Sequence, residues 1–208
     1  TCHLALKHGV ACHLAGGTHH AHYDFASGYC ILNDLAIAAK SLLSHGSSVR
    51  GPIKKVLIFD VDVHQGDGSA RILQQEPNIF TCSVHCEKNF PARKATSDLD
   101  VNVPINAADD EYLQIMKAGF ERAISLSQPD FIIYDAGVDV YEHDPLGLIN
   151  VSIEGIRQRD SYVLQRAKML NIAIATVIGG GYDKDQQALA QRHAIVVEEA
   201  HRIFVVNK

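Results

Sequence analysis

Short runs of aliphatic and β-branched residues alternate along this chain with longer stretches whose apolar positions recur at helical spacing. That alternation predicts an open, mainly parallel α/β sheet with helices on both faces. The pattern predicts a helical segment over 2–8 and strands over 10–15, 55–63, 79–84, 131–134 and 172–178. Further helices are predicted over 33–45, 69–75, 110–126, 152–170 and 185–204. Residues 46–52, rich in Gly and Ser, read as a loop, as does the polar stretch 85–99, which shows no periodicity. The run Val56-Leu57-Ile58-Phe59 is apolar at every position, so its strand is expected to be buried on both faces. With no internal repeat, low-complexity tract or linker, residues 1–208 read as one domain.

Composition adds limits. Among 208 residues, 47% are hydrophobic and 21% charged, enough apolar material for a packed core and too much for disorder. A formal net charge of −5 gives no basic surplus for general nucleic-acid binding. No apolar run approaches the roughly 20 residues of a membrane-spanning helix, and the opening residues lack a secretory pattern. The five cysteines are odd in number and form no Cys-x-x-Cys pair, which suits reduced thiols in the cytoplasm. Cys82 and Cys86 have no second pair to complete a zinc knuckle and read as core residues.

The polar residues gather where predicted strands end. In open parallel sheets ligands bind beyond the carboxyl ends of the strands. Strand 10–15 leads into Gly16-Gly17-Thr18-His19-His20, strand 131–134 into Asp135-Ala136-Gly137-Val138-Asp139, and strand 172–178 into Gly179-Gly180-Gly181-Tyr182. Strand 55–63 ends in Asp60-Val61-Asp62-Val63-His64-Gln65-Gly66-Asp67. The period of two expected of a strand would place Asp60, Asp62 and His64 on one side. Carboxylates crowded at a buried strand end repel and are desolvated, and a cation relieves both costs. Aspartates with an imidazole suit zinc, with ferrous iron a competitor. Adjacent His19 and His20 suit acid–base work if a carboxylate stands behind each, and Asp60 and Asp67 are the candidates. The glycines before Tyr182 allow close backbone approach to a ligand, and a tyrosine hydroxyl there suits a polarised carbonyl.

Five motifs in this order resemble the zinc-dependent histone deacetylase family over nearly the whole chain. They are Gly-Gly-Thr-His-His-Ala at 16–21, Ser-Gly-Tyr-Cys-x-x-Asn-Asp at 27–34, the Asp-Val-Asp-Val-His-Gln-Gly-Asp-Gly segment at 60–68, Asp-Pro-Leu-Gly at 144–147 and Gly-Gly-Gly-Tyr at 179–182. Glu87 to Lys94 and His64-Gln65-Gly66 look more like the bacterial, class-IV-like amidohydrolases of that family than its nuclear co-repressor enzymes. The resemblance implies an arginase/deacetylase-like fold and hydrolysis of an acetylated lysine or acetylated amine. It implies zinc on Asp62, His64 and Asp139, with His20 backed by Asp67 as general base and then acid. His19, backed by Asp60, would orient water and stabilise charge, and Tyr182 would donate to the substrate carbonyl. Gly28, Tyr29 and Phe90 would line the channel for the acylated stem. A structural potassium ion would sit near Asp60, Asp62, His64, Ser83 and Val84.

Family domains are typically longer, so the resemblance also leads one to expect an upstream part before Thr1 and an apolar sheet edge or face where it would pack. Asp135 stands where many relatives have a neutral residue. The rival reading within the fold, a ureohydrolase, needs two manganese ions and an Asp-x-His-x-Asp cluster. Here Asp67 falls one position too late for that cluster. The rival of another class is a catalytically silent binding module.

Overall fold

The computed structural model describes residues 1–48 and 51–206. Among these residues the elements follow one another as α1 (Cys2–His8), β1 (Val10–Cys12), α2 (Asp34–His45), β2 (Ser47–Ser48), β3 (Gly51–Pro52), β4 (Val56–Asp60) and α3 (Asp67–Leu73). The chain continues through β5 (Ile79–Cys86), β6 (Leu99–Val103), α4 (Asp109–Ser127), β7 (Phe131–Asp135), α5 (Ile153–Leu170), β8 (Ala173–Val177) and α6 (Gln186–His201). A π-helical turn over Arg202–Val206 closes it.

Six strands form one sheet in the order β1-β8-β7-β4-β5-β6, with every pair parallel. All five residues of β4 are buried, which a strand covered by helices on both sides requires. One core joins Leu57 and Phe59 to Met116 and Phe120 of α4 and to residues of α5 and α6. The other joins Val56 and Ile58 to Leu35 and Leu42 of α2 and Leu73 of α3. The helices begin where side chains satisfy their free N–H groups: Asn33 accepts from Ala36, Ser152 from Gly155, and Asp185 from Gln187 and Ala188. No helix among the described residues is long and apolar enough to cross a membrane.

Three details differ from the sequence pattern. Leu99–Val103, to which the pattern assigned no element, forms edge strand β6, and β5 extends to Cys86, shortening the polar loop. Of the stretch 46–52, residues 49 and 50 lie outside the described residues, and Ser47–Ser48 pairs antiparallel with Gly51–Pro52 as β2 with β3. Strands expected over 10–15 and 55–63 are shorter, ending at Cys12 and Asp60. At β4 the cause is local: Asp60 Oδ1 accepts from the Asp62 amide at 3.1 Å, and Asp62 Oδ1 from the His64 amide at 2.9 Å. These successive side-chain-to-backbone bonds compete with ladder pairing and turn the chain out of the strand. Edge strand β1 has all three residues half-buried.

The chain runs from β4 outward through β5 and β6, then returns to place β7 on the other side of β4. That reversal is the topological switch point where ligand crevices open in such sheets. Asp60 and Asp135 are register partners there, and both strands end at these residues.

Candidate active site

The bend after β4 and the loop after β7 bring Asp62, His64 and Asp139 together, with one ligand atom from each within 4.8 Å of the others. His64 Nδ1 lies 3.0 Å from both Asp62 Oδ1 and Asp139 Oδ2. Backbone amides hold the carboxylates: Gly180 donates to Asp62 Oδ2 at 2.7 Å and Val63 to Asp139 Oδ1 at 2.8 Å. A Cβ at Gly180 would come 2.4 Å from Asp62 Oδ2 and 2.3 Å from Asp139 Oδ2, so only glycine permits this approach.

Burial and the charge of Asp62 push the Asp139 carboxyl up to about 7 against the pull of His64. Burial alone would lower His64, but its bonds to Asp139 and Asp62 and their charges push it up to about 10. Two carboxylates and an imidazole, converging and desolvated, form a donor set that fits a divalent ion. Asp60 stands outside this trio; the sequence assigned it to His19 and not to the metal ligands. Its Oδ2 lies 2.7 Å from His19 Nδ1.

Both histidine–carboxylate pairs form. His20 Nδ1 lies 2.7 Å from Asp67 Oδ1, leaving Nε2 as the free ring nitrogen. His22, which the sequence did not single out, takes the other Asp67 oxygen at 3.2 Å. The histidines are driven in opposite directions. Burial, then the charge of His19, lowers His20 despite Asp67. Burial opposes the charge on His19, but Asp60, Asp62 and Asp135 outweigh it and raise His19 well above the ordinary imidazole value. The structure therefore pairs one imidazole favouring the neutral form with one favouring the cation.

Asp135 is fully buried, and neither of its carboxyl oxygens has a hydrogen-bond partner among the described residues. Its Oδ2 lies 4.0 Å from His19 Nδ1, and His19, Asp60 and Asp135 form a second group with ligand atoms within 4.8 Å. Burial, then the charge of Asp60, pushes Asp135 well above the carboxylate range and favours its neutral form.

Over this floor opens a cavity of about 540 Å³ whose walls include Gly28, Tyr29, Phe90 and Tyr182, with His20 and His64 among its lining residues. The Phe90 ring meets His20 edge-on at 4.8 Å between centroids, and Tyr29 stands 6.1 Å from Tyr182. Burial, then the charges of Asp62 and Asp139, pushes the Tyr182 phenol above its ordinary value and keeps it a donor. Ser83 and Val84 are buried on β5, and Ser83 pairs in register with Asp60.

The sequence reading missed the opposite wall, Leu146 and Leu148. Asn89 fastens it by donating to Leu146 O at 2.6 Å and accepting from the Leu148 amide at 3.1 Å. Asp144 was legible only as part of a motif. Its Oδ1 accepts from Leu146 and Gly147, and its Oδ2 from the Tyr182 amide at 2.7 Å, joining wall and tyrosine.

Residues 2–199 match the family model described as the histone deacetylase domain. The chain is 45% identical over 204 residues to an uncharacterized protein of Picosynechococcus sp., covering 98% of this chain and 66% of that one. It is 34% identical over 185 residues to histone deacetylase 2 of Arabidopsis thaliana (87% and 46% covered). With the acetoin utilization protein AcuC of Staphylococcus aureus the identity is 32% over 185 residues (83% and 46%). The chain thus spans from about half to about two thirds of the length of these relatives. Its fold matches an acetylpolyamine aminohydrolase of Burkholderia pseudomallei with a TM-score of 0.77 at 22% identity, covering 97% of this chain and 60% of that one.

Proposed function

The chain belongs to the histone deacetylase domain family, and from that premise we propose that it hydrolyses the amide of an acetylated lysine or other acetylated amine. Residues 1–208 would act as one catalytic domain in the cytoplasm. The observation that carries the proposal is that His64 of the Asp62–His64–Asp139 trio, His20 and Tyr182 line one cavity, while an adjoining smaller pocket adds Asp62 and the oppositely tuned His19.

Asp62, His64 and Asp139 would hold zinc or ferrous iron, a Lewis acid that lowers the pKa of water and polarises an amide carbonyl. Phe90, Tyr29, Leu146 and Leu148 would enclose the apolar stem of the substrate and bring its carbonyl to the floor. His20, neutral and with Nε2 free, would accept a proton from the attacking water and then deliver it to the leaving amine. Asp67 fixes the His20 ring through Nδ1 and stabilises the imidazolium while it carries that proton. His19, cationic beside Asp60, would orient the water and supply fixed positive charge near the developing oxyanion. Tyr182 would donate its hydroxyl hydrogen to the same oxygen. Potassium, held by Asp60, Asp62, His64, Ser83 and Val84 largely through backbone carbonyls, would offset further buried negative charge.

The test is an activity screen across acetyl-lysine peptides, longer acyl-lysine peptides, acetylpolyamines and small acetylated metabolites. The expected result is hydrolysis in at least one class, lost on chelation and regained with zinc or ferrous iron. Metal-loaded protein inert toward all four would contradict the proposal and favour a binding module. On the active substrate, Tyr182→Phe should lower kcat roughly 10²–10³-fold, the usual cost of one oxyanion donor, with metal content unchanged. A kcat within twofold of the parent would remove Tyr182 from the mechanism.

A further inference from the structure

Arg159 lies in the middle of α5 and is wholly buried. A guanidinium survives in a protein interior only when it is paired and hydrogen-bonded, and an apolar side chain of similar volume is often no less stabilising. Its bonds are therefore informative. Nε donates to Asp160 Oδ1 at 2.8 Å, Nη1 to the carbonyl of Gly137 at 2.6 Å, and Nη2 to the carbonyl of Ala136 at 3.2 Å. Tyr134 Oη donates to the same Asp160 oxygen at 2.6 Å. Arg159 and Asp160 thus grip the end of β7 and the start of its exit loop at three points: the Tyr134 side chain and the carbonyls of residues 136 and 137.

The far side of that loop faces the aspartate–histidine trio. A Cβ at Gly137 would lie 2.7 Å from Asp62 Oδ2 and 2.8 Å from Asp62 Cα, so its backbone forms the wall behind that carboxylate. One residue further, the Val138 amide donates to Gly180 O at 2.7 Å, and the Gly180 amide in turn holds Asp62 Oδ2. Asp139 follows immediately. Movement of the 136–137 carbonyls would therefore be transmitted both to Asp62, through the packed wall, and to Asp139, through the chain.

We infer that Arg159, locked by Asp160 and Tyr134, is the positioning residue that sets two of the three carboxylate and imidazole donors, and so governs the affinity of the site for its metal. This rests on the metal reading of Asp62, His64 and Asp139 given above. Arg159 touches neither donor atoms nor substrate; it acts through the Ala136 and Gly137 carbonyls. Lysine in its place keeps the charge but lacks the planar fork that holds two carbonyls and a carboxylate at once.

The experiment measures Zn²⁺ and Co²⁺ dissociation constants by competition with a chromophoric chelator for the parent chain, Arg159→Lys and Asp160→Asn. It also records the visible Co²⁺ spectrum and the thermal midpoint of the chelated proteins. Partners that orient metal ligands from behind typically control affinity 10–100-fold. Arg159→Lys should weaken binding by about that factor and shift the Co²⁺ spectrum, with a smaller loss for Asp160→Asn. A merely structural role would lower the metal-free midpoint and leave affinity and spectrum unchanged. Folded Arg159→Lys with parental affinity overturns the inference. Should that variant not fold, Asp160→Asn at parental affinity overturns it equally. If the parent chain binds neither ion, the metal reading fails and takes this inference with it. Tight parental binding unaffected in the variants sinks the inference alone.

Discussion

Asp139→Ala should abolish stoichiometric metal binding and with it all measurable hydrolysis. In the parent chain Asp139 Oδ2 and Asp62 Oδ1 stand equally distant from His64 Nδ1, and losing one leaves a single carboxylate with one imidazole. Two protein donors fall short of the three normally found at a catalytic zinc. Binding must also displace protons, because His64 is pushed up to about 10 and Asp139 up to about 7. Metal affinity should therefore weaken as pH falls, since protons then compete better for both donors. Elemental analysis of protein purified without chelator checks the point, with Cys82→Ala and Cys86→Ala as controls. Those thiols are buried, and burial, then the charges of Asp60 and Asp100, pushes Cys82 far above its ordinary value, so neither change should alter metal content. A stoichiometric ion retained by Asp139→Ala would remove that residue from the ligand set.

His20→Ala should lower turnover roughly 10²–10⁴-fold, the usual contribution of a positioned acid–base group, and at least as severely as His19→Ala. Metal content should be preserved in both. The ranking follows from environment: adjacent residues on one loop are held by different carboxylates, and only His20 is kept toward the neutral form that can accept a proton. The acid limb of the rate profile should lie below the ordinary imidazole value. Below the His20 pKa the ring is protonated and cannot act as base, so rate falls as pH falls, and the lowered pKa moves that fall to more acid conditions. Near-normal turnover in His20→Ala with loss in His19→Ala would reverse the roles. Full activity in both variants would end the general-base reading of the pair.

The sequence by itself determined what local free energy decides. Uninterrupted apolar residues at 56–59, short and following a Gly- and Ser-rich loop, favour a strand buried on both faces, and Asn33, Ser152 and Asp185 cap helices wherever the rest of the chain lies. The strand-end clusters, and the histidines, aspartates and tyrosine within them, were legible because residues at those exits share one edge of a parallel sheet. Edge strand β6 was less so, its alternation being brief and half exposed. Tertiary structure alone decided where side chains pointed after the regular elements ended. His22, which no sequence pattern marked, is brought to the second oxygen of Asp67. Arg159 is the clearest instance: a charge amid a helix reads as solvent-facing, and its burial depends on Asp160 and two carbonyls 22 and 23 residues away. Periodicity reports which face of an element is apolar; it carries no information on which distant polar group will meet a side chain on that face, because that contact exists only once the chain has closed around it.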